Sequence, residues 1–266
     1  MIKLGVNSVL FGGFDFATAA RHIALAGYDG VEVSAIMGMR PHLDLDNWKG
    51  QTGEIRRIAL DNGLELLALE NGPKEEQRLM HAFEAAAEIG IPVVNVGPGG
   101  KSDAEDDLQQ SIDALSKLAE QARAFGVDLC VKAHVGQAIY NTATTLRAMS
   151  SIDSTAFGIN MDPSHVHRAG ENPEEALPEV LSRVKHIHIR DCKGRQSGPG
   201  APADQACGRG DVDLMGYCRA MVDGGYSSAA CLEVIGALEM ELADVATIAA
   251  ESYGYLNACL KALGAR

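Results

Sequence analysis

The chain has 266 residues, of which 46% are hydrophobic, enough for a large buried core. Its formal charge of −13 disfavours nucleic acid and anionic membrane as partners, because both demand a positive footprint. A bound cation could still reverse the field locally for an anionic metabolite. No apolar run approaches the roughly 20 residues that cross a bilayer. MIKLGVNSVLF reads as a strand rather than a leader, and the six cysteines form no C-x-x-C pair. These features imply a cytoplasmic protein with reduced thiols.

Along the chain, short β-type runs alternate with helical patterns. IKLGV (2–6) is followed by a helix that begins near Asp15, with Ala20, Ile23 and Ala24 at helical spacing. GVEVS (30–34) and LELLALE (64–70) come next, then a helix stopping at Gly90, PVVNVG (92–97), and a helix stopping at Gly126. Acidic Asp103, Glu105 and Asp106 open that second helix, where its dipole is positive. The remaining strands are DLCVKAH (128–134), FGINMD (157–162), VKHIHIRD (184–191) and AACLEVI (229–235). All eight are rich in Val, Ile and Leu without strict alternation, as strands buried on both faces are. Eight β-then-α units over 1–266 predict one domain, a single (β/α)8 TIM barrel; a doubly wound open sheet is the alternative. The irregular stretch 192–212 is expected to rim the active-site mouth.

Barrel sites lie at the C-terminal ends of the strands. Polar residues there are Glu32, Glu70, Asn95, Lys132, His134, Asp162, His188 and Glu233. Pro163 fixes the turn after Asp162, which is expected to aim Asp162 and His165 over the mouth. His186 and His188 share a strand face, with His188 nearer the mouth and His186 deeper and hydrogen-bonded. Glu233 lies between Leu232 and Val234, a costly place for a carboxylate without a partner. Asp162, His188 and Glu233 together read as a divalent-metal site of oxygen and nitrogen ligands. Lys193, Arg195 and Arg209 put three cations in the 192–212 loop, either a solvated face or a flap that holds an anionic group. Trp48 suits either a sugar face or rim packing.

GYDGVEVS, LLALENG, DPSH, HIHIRD, GRGDVDL and GYSSAACLEV, in that order, resemble the xylose isomerase-like barrel superfamily. That group includes sugar isomerases, ketose 3-epimerases, hydroxypyruvate isomerase, inosose dehydratase and, more distantly, apurinic-site endonucleases. The resemblance implies Asp162, His188 and Glu233 as ligands of Mn2+, Mg2+ or Zn2+, with His165 and Arg190 contacting substrate or supporting the ligands. It also implies a homodimer or homotetramer. The family's remaining ligand is a glutamate ending the fifth strand, which in the 3-epimerases is also one of two catalytic carboxylates. Lys132 stands in that place here.

Three readings of Lys132 remain open. It acts as an acid or base beside a bound metal, its ammonium replaces the metal, or it forms a Schiff base. The leading expectation is a metal-assisted isomerase or epimerase acting on a small sugar or polyhydroxy carbonyl compound. Glu233 would be base or ligand, Lys132 the second proton-transfer group and His165 an orienting donor, with Glu70, His134, Arg190, Glu32 and Arg209 touching substrate. The alternatives are a lyase (dehydratase, decarboxylase or retro-aldol) on a keto-sugar or sugar acid using Lys132, or a sugar-binding barrel without turnover. The acidic chain and the short ligand list argue against the nuclease branch.

Overall fold

The computed structural model describes residues 1–195 and 198–266. Eight strands pair in parallel and in chain order: β1 (Lys3–Asn7), β2 (Gly30–Ser34), β3 (Glu65–Gly72), β4 (Val93–Val96), β5 (Asp128–Lys132), β6 (Phe157–Asn160), β7 (Val184–Ile189) and β8 (Ala229–Leu232). β8 pairs with β1, Leu4 opposite Ala230 and Val6 opposite Leu232, so the sheet closes into the expected (β/α)8 barrel. Closure removes both sheet edges, and the apolar strands are buried inside and out.

Around it lie α1 (Phe16–Ala26), α2 (Thr52–Asp61), α3 (Glu76–Ile89), α4 (Glu105–Ala124), α5 (Thr142–Ser151), α6 (Pro163–Arg168), α7 (Pro173–Val180), α8 (Leu214–Asp223) and α9 (Leu242–Ala262). Local signals set their ends. Asp15 accepts a 2.7 Å bond from the Thr18 amide and starts α1; Gly90, at φ 89°, stops α3. None of these helices is long and apolar enough to cross a membrane. The six cysteines are free thiols.

Several expected strands run too far at the mouth. The ladder ends at Lys132, Asn160, Ile189 and Leu232, while one further backbone bond each reaches Ala133, Met161 and Glu233. Beyond them the backbone turns, because Pro163 has no N–H to offer a ladder and the polar side chains converge on the axis. His134, Asp162, Arg190 and Glu233 therefore stand just past the strands, where chemistry-bearing groups of such barrels sit.

Toward the opposite end the barrel interior is tightly packed around Gly5. A Cβ on Gly5 would lie 2.5 Å from Leu67 Cδ1 and 2.7 Å from Cys231 Sγ. Gly5→Val is therefore expected to cost about 1–3 kcal/mol by overpacking. A urea titration would read it as a lower midpoint at unchanged slope; an unchanged midpoint would contradict this packing.

Asp191 anchors the start of the long loop after β7. Asp191 Oδ1 accepts from the amides of Cys192 (2.9 Å) and Val212 (3.1 Å), and Oδ2 accepts from Gly208 N at 3.0 Å. Gly210 must lack a side chain here, since a Cβ would stand 2.2 Å from Asp191 Oδ1. The expected loop 192–212 includes residues 196 and 197, which lie outside the described residues.

Candidate active site

A cavity of about 610 Å3 opens at the C-terminal end of the barrel, and Glu70, Lys132, His134, His165, Arg190 and Glu233 all line it. They come from the ends of β3, β5, β7 and β8 and from α6. Lys132 Nζ donates to Glu233 Oε1 at 2.6 Å and lies 3.6 Å from Glu70 Oε1. The Arg190 guanidinium lies 3.1 Å from Asp162 Oδ2 and 3.4 Å from Glu233 Oε2. Two buried cations thus bridge three buried carboxylates.

This arrangement sorts the carboxyls. Burial alone would raise the pKa of Glu233, but Lys132 beside it, with Arg190, holds it well below the usual carboxylate range. Glu70 is farther from Lys132, and burial pushes it up to about 7. Its Oε2 has no hydrogen-bond partner. Burial would lower Lys132, yet Glu233 and Glu70 outweigh it and raise the ammonium above its ordinary value. His165 is held neutral by burial and by Arg190, whose Nη2 lies 2.9 Å from His165 Nε2. Burial and then Lys132 lower His134, whose ring packs on His165 at 4.0 Å between centroids. The site can hold a fixed positive pair beside one carboxyl that exchanges a proton near neutrality.

Other expected residues lie elsewhere. His188 is buried under the cavity floor, where its Nε2 donates to Glu32 Oε2 at 2.8 Å and its Nδ1 faces Asn160 Nδ2 at 3.1 Å. Glu32 is also fully buried, accepting from Asn95 Nδ2 at 2.7 Å and lying 3.3 Å from His186 Nε2, so it is not open to the cavity. His186 is fully buried as well, its Nε2 3.3 Å from Glu32 Oε2. Asp162 caps α6 through Ser164, at 2.8 Å to both the Ser164 amide and hydroxyl. Arg209 does not line the cavity: its Nε donates to Glu251 Oε1 of α9 at 2.8 Å. Arg195 Nη1 donates to Glu171 O at 2.9 Å, and Lys193 pairs with Asp204. These cations hold the loop to its surroundings rather than reach over the mouth. Trp48 is buried in the core.

The profile of the xylose isomerase-like TIM barrel family matches residues 20–259, most of the chain. The chain belongs to that family. Among curated relatives, an inosose dehydratase of Clostridium beijerinckii is 25% identical over 195 residues, 67% of this chain and 64% of that protein, so the match spans just under two thirds of the relative. Two solved structures share the fold. A D-psicose 3-epimerase crystallised in the presence of D-fructose superposes with TM-score 0.78 at 16% identity, covering 99% of this chain and 100% of the other. The IolI protein with a bound zinc atom superposes with TM-score 0.78 at 17% identity, covering 98% and 99%.

Among the described residues three groups could bring three ligand atoms within 4.8 Å of one another: Glu32–His186–Cys231, Glu32–Glu70–His188 and Asp162–His165–Glu233. The family-implied set Asp162, His188 and Glu233 is not one of them. Most of its donor atoms are engaged: both nitrogens of His188 have partners, Glu233 Oε1 holds Lys132, and Arg190 lies among Asp162, His165 and Glu233, although Asp162 Oδ2 accepts no hydrogen bond. Lysine in place of the glutamate that the resemblance implies would also turn a negative charge positive, the same change in site charge that a divalent ion makes. The residues as arranged do not fit that metal.

Sequence reading missed Ser164, Gln205 and Asn160. Ser164 Oγ accepts from Arg190 Nε at 2.9 Å, and Asn160 receives the His188 amide at 2.8 Å. Gln205 Oε1 accepts from the Ile235 amide at 3.0 Å and lies 3.4 Å from Arg190 Nη1. Neutral side chains of this kind carry no charge pattern; only Ser164, inside D-P-S-H, had a motif that could have flagged it.

Proposed function

We propose that the protein is a dehydratase-type lyase that removes a proton beside the carbonyl of a small polyhydroxylated ketone, a keto-sugar or inosose, and then expels a hydroxyl as water. The observation that carries this reading is the Lys132 ammonium, 2.6 Å from Glu233 and 3.6 Å from Glu70 at the cavity floor. Lys132 and Arg190 supply the positive charge that stabilises the enolate oxygen, in the role a Mn2+, Mg2+ or Zn2+ ion would fill in the metal-assisted mechanism. Glu70, with a pKa of about 7, takes the α proton as carboxylate. The electron pair forms the enolate, which collapses to expel the β-hydroxyl. That hydroxyl takes the same proton back from Glu70 and leaves as water, so Glu70 returns to its starting charge.

The similarity to an inosose dehydratase supports this class. Isomerisation and 3-epimerisation share the enolate, but epimerisation requires a second proton carrier on the other face of the carbon. Glu233, held ionised by Lys132, is poorly suited to that role. Lys132 as a Schiff-base nucleophile needs a neutral amine, which its two carboxylate neighbours oppose.

The test is product analysis by mass spectrometry on a panel of keto-sugars and inososes, scoring loss of one water against isomerisation. The reaction rate is expected to rise with pH through about 7 as Glu70 ionises. Glu70→Gln should remove that limb and lower kcat about 10²–10⁴-fold. A panel yielding only isomers, or a variant with the same pH profile, would overturn the assignment.

A further inference from the structure

The floor of the cavity is ionisable, but much of its wall is not: Ile36, Met39, Pro73 and Ile235 line the same space. These side chains make no hydrogen bonds to hydroxyls, and a six-carbon polyol bound on the floor fills only part of about 610 Å3. Single surface hydrophobics need no explanation, but four around one active cavity bear on what it holds. The wall also carries Lys74, half-buried, with its Cε 3.3 Å from where a Cβ on Gly99 would stand. Burial lowers the Lys74 pKa, with Asp107 opposing it from a distance, and no carboxylate is within ion-pair distance of Lys74 among the described residues, so its ammonium is partly dehydrated.

Arg40, at φ 49° in the loop after β2, pairs with Glu239 beyond β8 at 2.8 Å and joins the two loops that carry Met39 and Ile235. A methionine sulfur, a partly dehydrated ammonium and branched aliphatic faces are together good partners for an aromatic ring.

Resting on the reading of the floor above, we infer that the natural substrate is an aryl glycoside oxidised to a keto-sugar, its sugar on the charged floor and its aromatic aglycone in the collar of Ile36, Met39, Pro73, Lys74 and Ile235. The collar thereby sets specificity, discriminating against free monosaccharides that leave it facing water.

Isothermal titration with two unreactive probes tests this: phenyl β-D-glucoside and methyl β-D-glucoside. The phenyl compound is expected to bind about tenfold tighter or better, from burial of one ring. Met39→Asp and Ile36→Asp, two independent loop variants, should each shrink that ratio to about threefold or less. Equal affinities for the two probes in the wild type, no binding of either, or a ratio intact in both variants would overturn the inference. Glu70→Gln separates the two proposals: the reaction is expected to be lost while the phenyl preference persists. A Glu70→Gln protein that keeps its turnover sinks the reaction, and the probe ratio still decides the collar.

Discussion

Lys132→Glu is expected to convert the site from one that carries its own cation to one that needs a divalent ion. The substitution installs the fifth-strand carboxylate that the family resemblance implies and removes the ammonium that now holds Glu233 at 2.6 Å and faces Glu70 at 3.6 Å. Without metal, a new buried carboxylate stands beside Glu70 and Glu233, and loss of the partner of a buried pair costs about 3–5 kcal/mol. Mn2+ or Zn2+ should then restore stability by mass action, about 2.7 kcal/mol at a hundredfold excess over Kd. Thermal unfolding with and without each ion reads this directly: the variant's Tm should rise with metal while the wild type's does not move. A variant as stable as wild type in chelator, or a wild type that gains as much from the ion, would contradict the exchange of ammonium for metal.

Arg190→Met is expected to lose about 3–5 kcal/mol of stability, because it leaves Asp162 and Glu233 buried without the guanidinium 3.1 and 3.4 Å away. Arg190 is 2% exposed and also bonds Ser164 Oγ, so solvent cannot take over its role. The exposed Arg57–Asp61 pair on α2 is the control, since pairs of that kind contribute little. Urea unfolding of Arg190→Met and Arg57→Ala, compared with wild type, should show a large fall only in the first. Similar small changes in both would mean that the carboxylates do not depend on Arg190.

The barrel was legible because parallel strands covered on both faces must be written in Val, Ile and Leu, and because glycines such as Gly90 close the intervening helices. Strand ends were less so: the ladder stops where side chains turn to the axis, and no apolar pattern marks that point. Residue types at strand ends flagged Glu70, Lys132, His134 and Glu233, which share one cavity because the fold itself collects those ends; Arg190, beside them, came only with the family resemblance. What each would touch was not legible. The two-residue period put His186 and His188 on one face but carried no depth, and both lie below the cavity around Glu32. Arg209 sits in a long loop whose path depends on Asp191 and Gly210, so its pairing with Glu251 leaves no local trace.

The central claim is that Lys132 and Arg190 occupy the role of a divalent cation. Elemental analysis of wild-type protein, equilibrated with Mn2+ or Zn2+ and then dialysed free of excess, tests it most directly. The account predicts bound metal far below one equivalent per chain; one tightly held equivalent, with anomalous scattering among Asp162, His188 and Glu233, would contradict it.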